Sequence, residues 1–156
     1  MVAQGRRSRG GSIVFSLPKP PTVNTIYKYS SAGGFARSYI SAAGQQWFAA
    51  ASRIVASTLA AQYPDAIFPF TVPIALTLEL HTARYQDIDG FLKPVLDVLS
   101  NVCLACFQKG STRKKCPCGQ NKSLMQDDAL VTSLMVTKIK VPHKTDEKVL
   151  VTCVPA

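Results

Sequence analysis

Residues 74–99, IALTLELHTARYQDIDGFLKPVLDVL, change from strand spacing to helix spacing within one stretch. Alternate residues are apolar from Ile74 to Leu80, and this period of two predicts a strand with one buried face. From residue 88 the apolar spacing becomes helical, with a predicted buried stripe of Leu92, Val95, Leu96, Leu99 and Cys103. Since proline is tolerated only near the start of a helix, Pro94 predicts a helix that begins close to Asp89 or Gly90.

Further elements are predicted on both sides of this stretch. Ile13, Phe15 and Leu17 alternate and predict a first strand, which a proline-rich turn ends. Residues 41–63 predict a helix with Ser41 as its N-cap. Residues 129–141 and 148–154 predict two strands joined by a turn at 142–145, hence a terminal hairpin, with Cys153 in the core.

These elements predict an α+β fold in which a small mixed sheet packs against two helices. The chain has 156 residues, of which 47% are hydrophobic, enough for one domain with its own core. We assign that domain to residues 12–156. Residues 1–11 contain Arg6, Arg7 and Arg9 among Gly and Ser, and we expect them to form a flexible basic arm.

The charge of the chain indicates a polyanionic partner. Lys and Arg number 18 against nine acidic residues, which gives a formal charge of +9 and a pI near 9.5. This balance favours DNA or RNA, because clustered cations release counterions when they bind it. Neither a membrane-spanning segment nor a secretory signal is visible, so we expect no membrane partner and a soluble, intracellular protein in a DNA-containing compartment.

The scarce acidic residues are concentrated. Four of the nine are Asp87, Asp89, Asp127 and Asp128. Bare carboxylates would repel phosphate, so this grouping in a basic chain favours a divalent-metal site at the centre of a nucleic-acid surface. The alternative is structural: the first pair caps the helix and the second pair forms a turn.

Three short motifs follow one another along the chain: LPKPPTVN (residues 17–24), YISAAGQ (residues 39–45) and DIDGFLK (residues 87–93). Asp97 lies in the same predicted helix as the third motif, and Asp127 and Asp128 precede a predicted strand. In order and context these features resemble the RusA family of Holliday junction resolvases, over about residues 12–141 apart from residues 104–124. The resemblance implies a RusA-like fold and a homodimeric, Mg²⁺-dependent endonuclease, with Mn²⁺ as a substitute. It would cut four-way DNA junctions by paired symmetric nicks in recombination and repair.

The resemblance also implies roles for individual residues. Asp87, Asp89 and Asp128 match the metal-binding catalytic acids of the family, and Lys93 matches its catalytic lysine. Asn24 matches a polar residue of the Pro-Pro motif, which we place among the DNA contacts. The family usually has Asn after the second Asp of DIDGFLK, where this chain has Gly90, so a side-chain hydrogen bond that would fix the loop is missing.

Other roles follow from position. Asp127 is expected to be an alternative metal ligand or to support the ligands by contacting them. Asp97 is expected to form a structural salt bridge. Cations that flank the acidic motif are further candidates for DNA contacts: Lys19, Lys28, Arg37 and Arg84. Aromatic residues interleave with them and could stack on unpaired bases: Tyr27, Tyr29, Phe35 and Tyr39. The same list could equally arise from surface charge and an aromatic core.

A basic, Cys-rich insertion occupies residues 104–124. With the end of the preceding helix it provides four cysteines, Cys103, Cys106, Cys116 and Cys118. Four thiolates suit a structural Zn²⁺ in a small knuckle. The alternative is a basic loop with incidental thiols, since Cys103 also fits the buried helix face. In either case Lys114 and Lys115 are candidates for DNA contacts.

Two other functions remain open from sequence. A nuclease of the same chemistry could act on flaps, forks or RNA. A nucleic-acid binding module with an impaired nuclease site would also account for the charge, and Gly90 is the sequence feature that favours it.

Overall fold

The computed structural model describes residues 11–66, 68–100 and 123–156, which form a mixed α+β fold. The strands in these ranges are β1 (Ile13–Pro18), β2 (Tyr27–Ser30), β3 (Arg37–Ile40), β4 (Ile74–Thr82), β5 (Val131–Lys140) and β6 (Lys148–Pro155). The helices are α1 (Val23–Ile26), α2 (Ala42–Gln62) and α3 (Asp89–Leu99). Residues 1–10 of the predicted arm and residues 104–122 of the predicted insertion lie outside the described residues, as does Cys103.

The larger sheet contains four strands in the order β1-β6-β4-β5. β4 pairs antiparallel with β6 and parallel with β5, so the sheet is mixed as predicted. Apolar positions face one another across the centre, where Leu76 pairs with Cys153 and Leu78 pairs with Val151. Cys153 is fully buried, which confirms it as a core residue, and this burial raises the pKa of its thiol to about 11.

The predicted terminal hairpin is wrong. β5 and β6 do not pair, because β4 lies between them. The side chains of β6 that face the core are all apolar. β6 has a neighbouring strand on each side, β1 and β4. β5 carries more Thr, Ser and Lys and forms the edge of the sheet in the described ranges, where charged and polar side chains are tolerated. The connection between β5 and β6 therefore crosses the end of β4, where the Val141 N–H bonds the Thr82 carbonyl at 3.1 Å.

One face of this sheet and the two longer helices enclose the core. Phe15 and Leu17 of β1 and Phe48 and Val55 of α2 are all buried. Each such side chain contributes roughly 1.5–3 kcal/mol relative to an exposed position. Ser41 caps α2, since its hydroxyl accepts the Gly44 N–H at 3.1 Å, which confirms the predicted helix start. No helix in the described ranges is both long and apolar enough to cross a membrane.

α3 begins at Asp89, as the sequence predicts. Its buried face is Phe91, Pro94, Val95, Val98 and Leu99, while Leu92 and Leu96 are only partly buried. Pro94 lies beyond the first turn, so α3 lacks one internal hydrogen bond, the one to the Gly90 carbonyl. Ser123 and Leu124, which we assigned to the insertion, are buried beside this helix end, and the Met125 N–H bonds the Leu99 carbonyl at 3.0 Å.

The structure contains two features that the two-helix prediction lacked. A third, short helix, α1, follows directly after the proline-rich turn. β2 and β3 then form a separate two-stranded antiparallel ribbon, with Lys28 opposite Tyr39 and Ser30 opposite Arg37. We call residues 27–40 the ribbon. Their side chains are mainly polar and exposed, so they lack the alternation from which strands are recognised.

Candidate functional site

Asp87 lies in the loop between β4 and α3, and Asp89 is the first residue of α3. Asp87 is exposed, and Asp89 is exposed in the first turn of α3. One carboxylate oxygen of Asp89 accepts the Gly90 backbone N–H at 2.9 Å. The positive end of the helix favours negative charge at this place. Asp89 is therefore held at the helix start with its carboxylate open to solvent.

This loop is fastened to the sheet. The Thr82 hydroxyl donates to the Arg84 carbonyl at 2.8 Å, and Lys138 of β5 donates to the Gln86 carbonyl. The side-chain oxygen of Gln86 is buried and has no hydrogen-bond partner among the described residues. A hard oxygen without a partner thus lies next in sequence to Asp87.

The second acidic pair lies just before β5. Asp127 caps the 3-10 turn Asp128–Leu130, because its carboxylate accepts the Ala129 N–H at 2.9 Å. Asp128 is exposed in the first position of that turn. The structural alternative for the pair, a turn, is therefore present, and it still leaves the Asp128 side chain accessible.

The segments that carry Asp87 and Asp128 lie at opposite ends of the β4–β5 pair, and both adjoin α3. β4 and β5 are parallel, so Asp87 follows the end of one strand while Asp128 precedes the start of the other. The 3-10 turn that carries Asp128 nevertheless contacts α3. Within residues 11–66, 68–100 and 123–156, no three His, Cys, Asp or Glu side chains form a group that could hold a metal ion. The donor chemistry of the carboxylates suits Mg²⁺ or Mn²⁺, but the structure does not assemble Asp87, Asp89 and Asp128 into one ligand group.

Lys93 is held one turn away from Asp89, towards the end of α3. Its Nζ lies 3.2 Å from Oδ2 of Asp97, which confirms the predicted salt bridge of Asp97. The same Nζ lies 4.9 Å from the centre of the Tyr27 ring. The Tyr27 hydroxyl donates to Asp97 as well. Burial, and then this hydrogen bond, raise the pKa of Tyr27 well above its ordinary value, so the phenol stays neutral.

The remaining predicted DNA contacts occupy different surroundings. Lys28, Arg37, Arg84 and Asn24 are exposed, and the Lys28 ammonium donates to the Asn24 carbonyl at 2.7 Å. Lys19 is different, because it pairs with Glu147 at 3.0 Å and its side chain is only 14% exposed. This position makes Lys19 a structural cation in the present conformation. Lys114, Lys115 and the cysteines at 106, 116 and 118 lie outside the described residues.

Acidic residues are absent from the first 64 positions of the sequence, which contain seven Lys and Arg. The ribbon lies within this part of the chain. Its Tyr29, Phe35 and Tyr39 rings are exposed, whereas Tyr27 packs against Lys93 and Asp97. Tyr27, which we grouped with the stacking candidates, is thus part of the support for α3.

Sequence reasoning missed two residues of the loop region. Tyr85 is 92% exposed, and Lys138 lies 4.5 Å from the centre of its ring. Tyr85 lies two residues before Asp87, so its proximity was visible in sequence, but the pairing with Lys138 depends on the β4–β5 register. His81 lies on the sheet face away from the helices, 3.3 Å from Glu79.

No protein-family model matches the chain, and no curated protein is significantly similar to it. The resemblance to the RusA family is therefore carried by the quoted motifs alone.

Proposed function

We propose that the protein is a divalent-metal-dependent endonuclease that selects branched DNA and resolves four-way junctions by paired symmetric nicks. The observation that carries this proposal is the exposed pair Asp87 and Asp89 at the positive end of α3. The first 64 residues of the same chain include Lys and Arg but no Asp or Glu. Such carboxylates oppose DNA binding unless a cation neutralises them.

The proposed roles follow the chemistry of phosphodiester hydrolysis. Asp87, Asp89 and Asp128 would hold Mg²⁺, and Asp127 maintains the turn that presents Asp128. A bound Mg²⁺ would lower the pKa of a water molecule and offset charge on the attacked phosphate. The structure places Asp128 at the opposite end of the parallel β4–β5 pair from Asp87, so binding of one Mg²⁺ by all three carboxylates would require a rearrangement of the segment that carries Asp128.

Lys93 supplies the positive charge of the site. Its side chain is 59% exposed, so the ammonium can leave Asp97 and reach a phosphate oxygen at little energetic cost. Near the reacting phosphate it would offset the charge that develops in the transition state. In the present conformation the Lys93 ammonium contacts Asp97 and the ring of Tyr27.

Paired nicking requires two equivalent sites, and a twofold homodimer supplies them. Phe91, Val95, Val98 and Leu99 of α3 are buried in the core of the chain, so these side chains are not available as the interface. We therefore expect a dimer formed through other surfaces. Mass measurement by light scattering tests this, and a strict monomer on junction DNA would contradict it.

The cysteine quartet stays a prediction. Four thiolates at 103, 106, 116 and 118 would bind one Zn²⁺ per chain and fold the basic insertion. Metal analysis of the purified protein and of Cys116→Ser tests this directly. Equal zinc content in both would contradict a four-cysteine site.

Cleavage of synthetic junctions tests the function. Labelled four-way junction and matched linear duplex are incubated with Mg²⁺ or EDTA, with the wild type and with Asp89→Asn. We expect paired nicks near the branch with Mg²⁺ only, and a loss of about 100-fold or more in the variant. Asp65→Asn, an exposed acid outside the motif, serves as the control.

A binding module with an impaired site is the second candidate. The exposed aromatic and cationic side chains of the ribbon favour it, as does Gly90 in place of Asn. Tight junction binding with no cutting under any divalent metal would select the module. If the protein cuts flaps, forks or RNA in preference to four-way junctions, the proposed phosphodiester hydrolysis stands and the proposed substrate is wrong.

A further inference from the structure

The ribbon is fixed at its base and exposed at its tip. The Ser41 N–H bonds the Ile26 carbonyl at 2.8 Å, and the Ser41 hydroxyl bonds the Thr25 carbonyl at 2.7 Å. The start of α2 is so close that a Cβ on Gly44 would lie 2.8 Å from the Ile40 side chain. At the tip, Gly33 and Gly34 both have φ near +79°, a conformation that glycine adopts readily.

The ribbon exposes three aromatic rings. Tyr29 is 80% exposed, Phe35 72% and Tyr39 52%. Burial of such a ring in a core is favourable by roughly 1.5–3 kcal/mol, so three exposed rings in one short segment are candidates for contacts with a partner. The rings are placed on both faces, because Tyr39 shares a face with Lys28 and Arg37 while Tyr29 lies on the other.

The charge carried by the ribbon itself has one sign. Lys28 and Arg37 are the ionisable residues of the ribbon apart from its tyrosines, and no acidic residue precedes Asp65. A polyanion is the complementary partner of such a segment. Tyr39 shares its face with both cations, and this arrangement suits a nucleic acid in particular, since a base can stack on the ring while phosphates pair with the cations.

We infer that the ribbon stacks on unpaired bases where a DNA branch opens. Flat, exposed rings cannot stack on bases that are already stacked within a continuous duplex, so the surface distinguishes opened strands from paired ones. The inference rests on the proposed function for its nucleic-acid partner and adds the part of the substrate that is recognised. It does not depend on cleavage.

Binding without cleavage tests the inference. Fluorescence anisotropy in EDTA compares a labelled oligo-dT, a junction with unpaired bases at its centre, and a fully paired duplex. We expect Tyr29→Ala and Phe35→Ala each to weaken binding to the first two by about 5- to 100-fold, and binding to duplex by less than about 2-fold. Tyr29→Phe keeps the ring and should bind as the wild type, whereas Tyr29→Leu should not.

A spectroscopic readout separates stacking from mere contact. In Tyr29→Trp, a base stacked on the new indole should quench its fluorescence when oligo-dT is added, and paired duplex should not. Trp47 is only 7% exposed and gives a constant background. Thermal melting of every variant checks that the fold is kept.

Three results would overturn the inference: unchanged oligo-dT affinity in both Ala variants, equal losses on oligo-dT and duplex, or full binding by Tyr29→Leu. Failure of the proposed nuclease activity is separate, because it would appear as absent Mg²⁺-dependent cutting with the binding pattern intact. Conversely, junction cutting together with any of these three results would leave the nuclease and remove the stacking role.

Discussion

The Tyr27 hydroxyl and the Lys93 ammonium both contact Oδ2 of Asp97, so one carboxylate joins the base of the ribbon to α3. The ring of Tyr27 lies beside the same ammonium. The candidate catalytic lysine and the aromatic surface are therefore positioned by one small group of side chains.

Loss of the Tyr27 hydroxyl should destabilise the contact between the ribbon and α3. Tyr27→Phe leaves Asp97 partly buried with one partner fewer, and we expect a loss of about 1–2 kcal/mol and a melting temperature lower by about 2–8 °C. Differential scanning calorimetry measures this. Tyr39→Phe, which removes an exposed hydroxyl, should change neither quantity, and similar losses in the two variants would contradict the role of the Tyr27 bond.

Alkaline pH should weaken the same contact. The pKa of Tyr27 is raised from 10.0 by burial and by Asp97, so the unfolded phenol loses its proton at a lower pH than the folded one. The stabilisation is present in full below about pH 10 and decreases as the pH rises above that value. Urea denaturation from about pH 9 to about pH 11 should show a steeper decline in the wild type than in Tyr27→Phe. Parallel curves would refute this expectation.

Acid should weaken the contact between Glu147 and the end of β4. Burial alone would raise the pKa of Glu147, but the Ala83 N–H, Lys19 and Thr82 hold it below its usual 4.5. This stabilisation is present above about pH 4.5 and is lost as the pH falls further. The stability difference between wild type and Glu147→Gln should therefore shrink below about pH 4.5, as followed by denaturant titration. A stability difference that stays constant from about pH 6 down to about pH 3 would contradict this role of Glu147.

Gly90 can accept a side chain. A Cβ at this position meets nothing within 4 Å, and asparagine is a better helix residue than glycine. Gly90→Asn should raise stability by about 0.3 kcal/mol and keep or increase junction cleavage. Gly44→Ala is the matched contrast, because its Cβ would lie 2.9 Å from the Ile26 side chain. We expect it to lose about 1–3 kcal/mol, and equal effects of the two substitutions would contradict the structure.

Lys93 should matter for cleavage far more than for folding. Lys93→Met removes the charge and keeps the stem, so we expect a loss of about 100-fold in single-turnover cleavage. The exposed ion pair contributes at most about 1 kcal/mol to stability. Lys144→Met, in the exposed turn before β6, should cleave normally. Full activity of Lys93→Met would exclude the lysine from the chemistry.

The strands and helices that sequence predicts well are those with strong apolar spacing. β1, β4 and α2 form where alternation or the Ser41 cap indicates, and α3 begins at Asp89. The ribbon escapes prediction because its strands YKYS and RSYI have little apolar alternation. Its conformation is set instead by Ser41, Gly44 and Ile26, which contact its base.

Contacts between residues that are far apart in the sequence are the part of the structure that the sequence does not predict. The spacing within α3 indicates that Lys93 can meet Asp97, and it does. Nothing in the order of residues indicates that Tyr27 reaches the same carboxylate, or that β4 separates β5 from β6. Both follow from how apolar faces share the core, which local spacing does not specify.

The position of β6 between β1 and β4 has a consequence for how the chain folds as it is made. β1 is synthesised early, yet its partner in the sheet is the last strand, with Ile13 opposite Cys153. β1 and β4 therefore leave the ribosome well before the strand that joins them. Closure over so long a loop is slow, and until β6 arrives the facing edges of β1 and β4 are open to pairing with other chains.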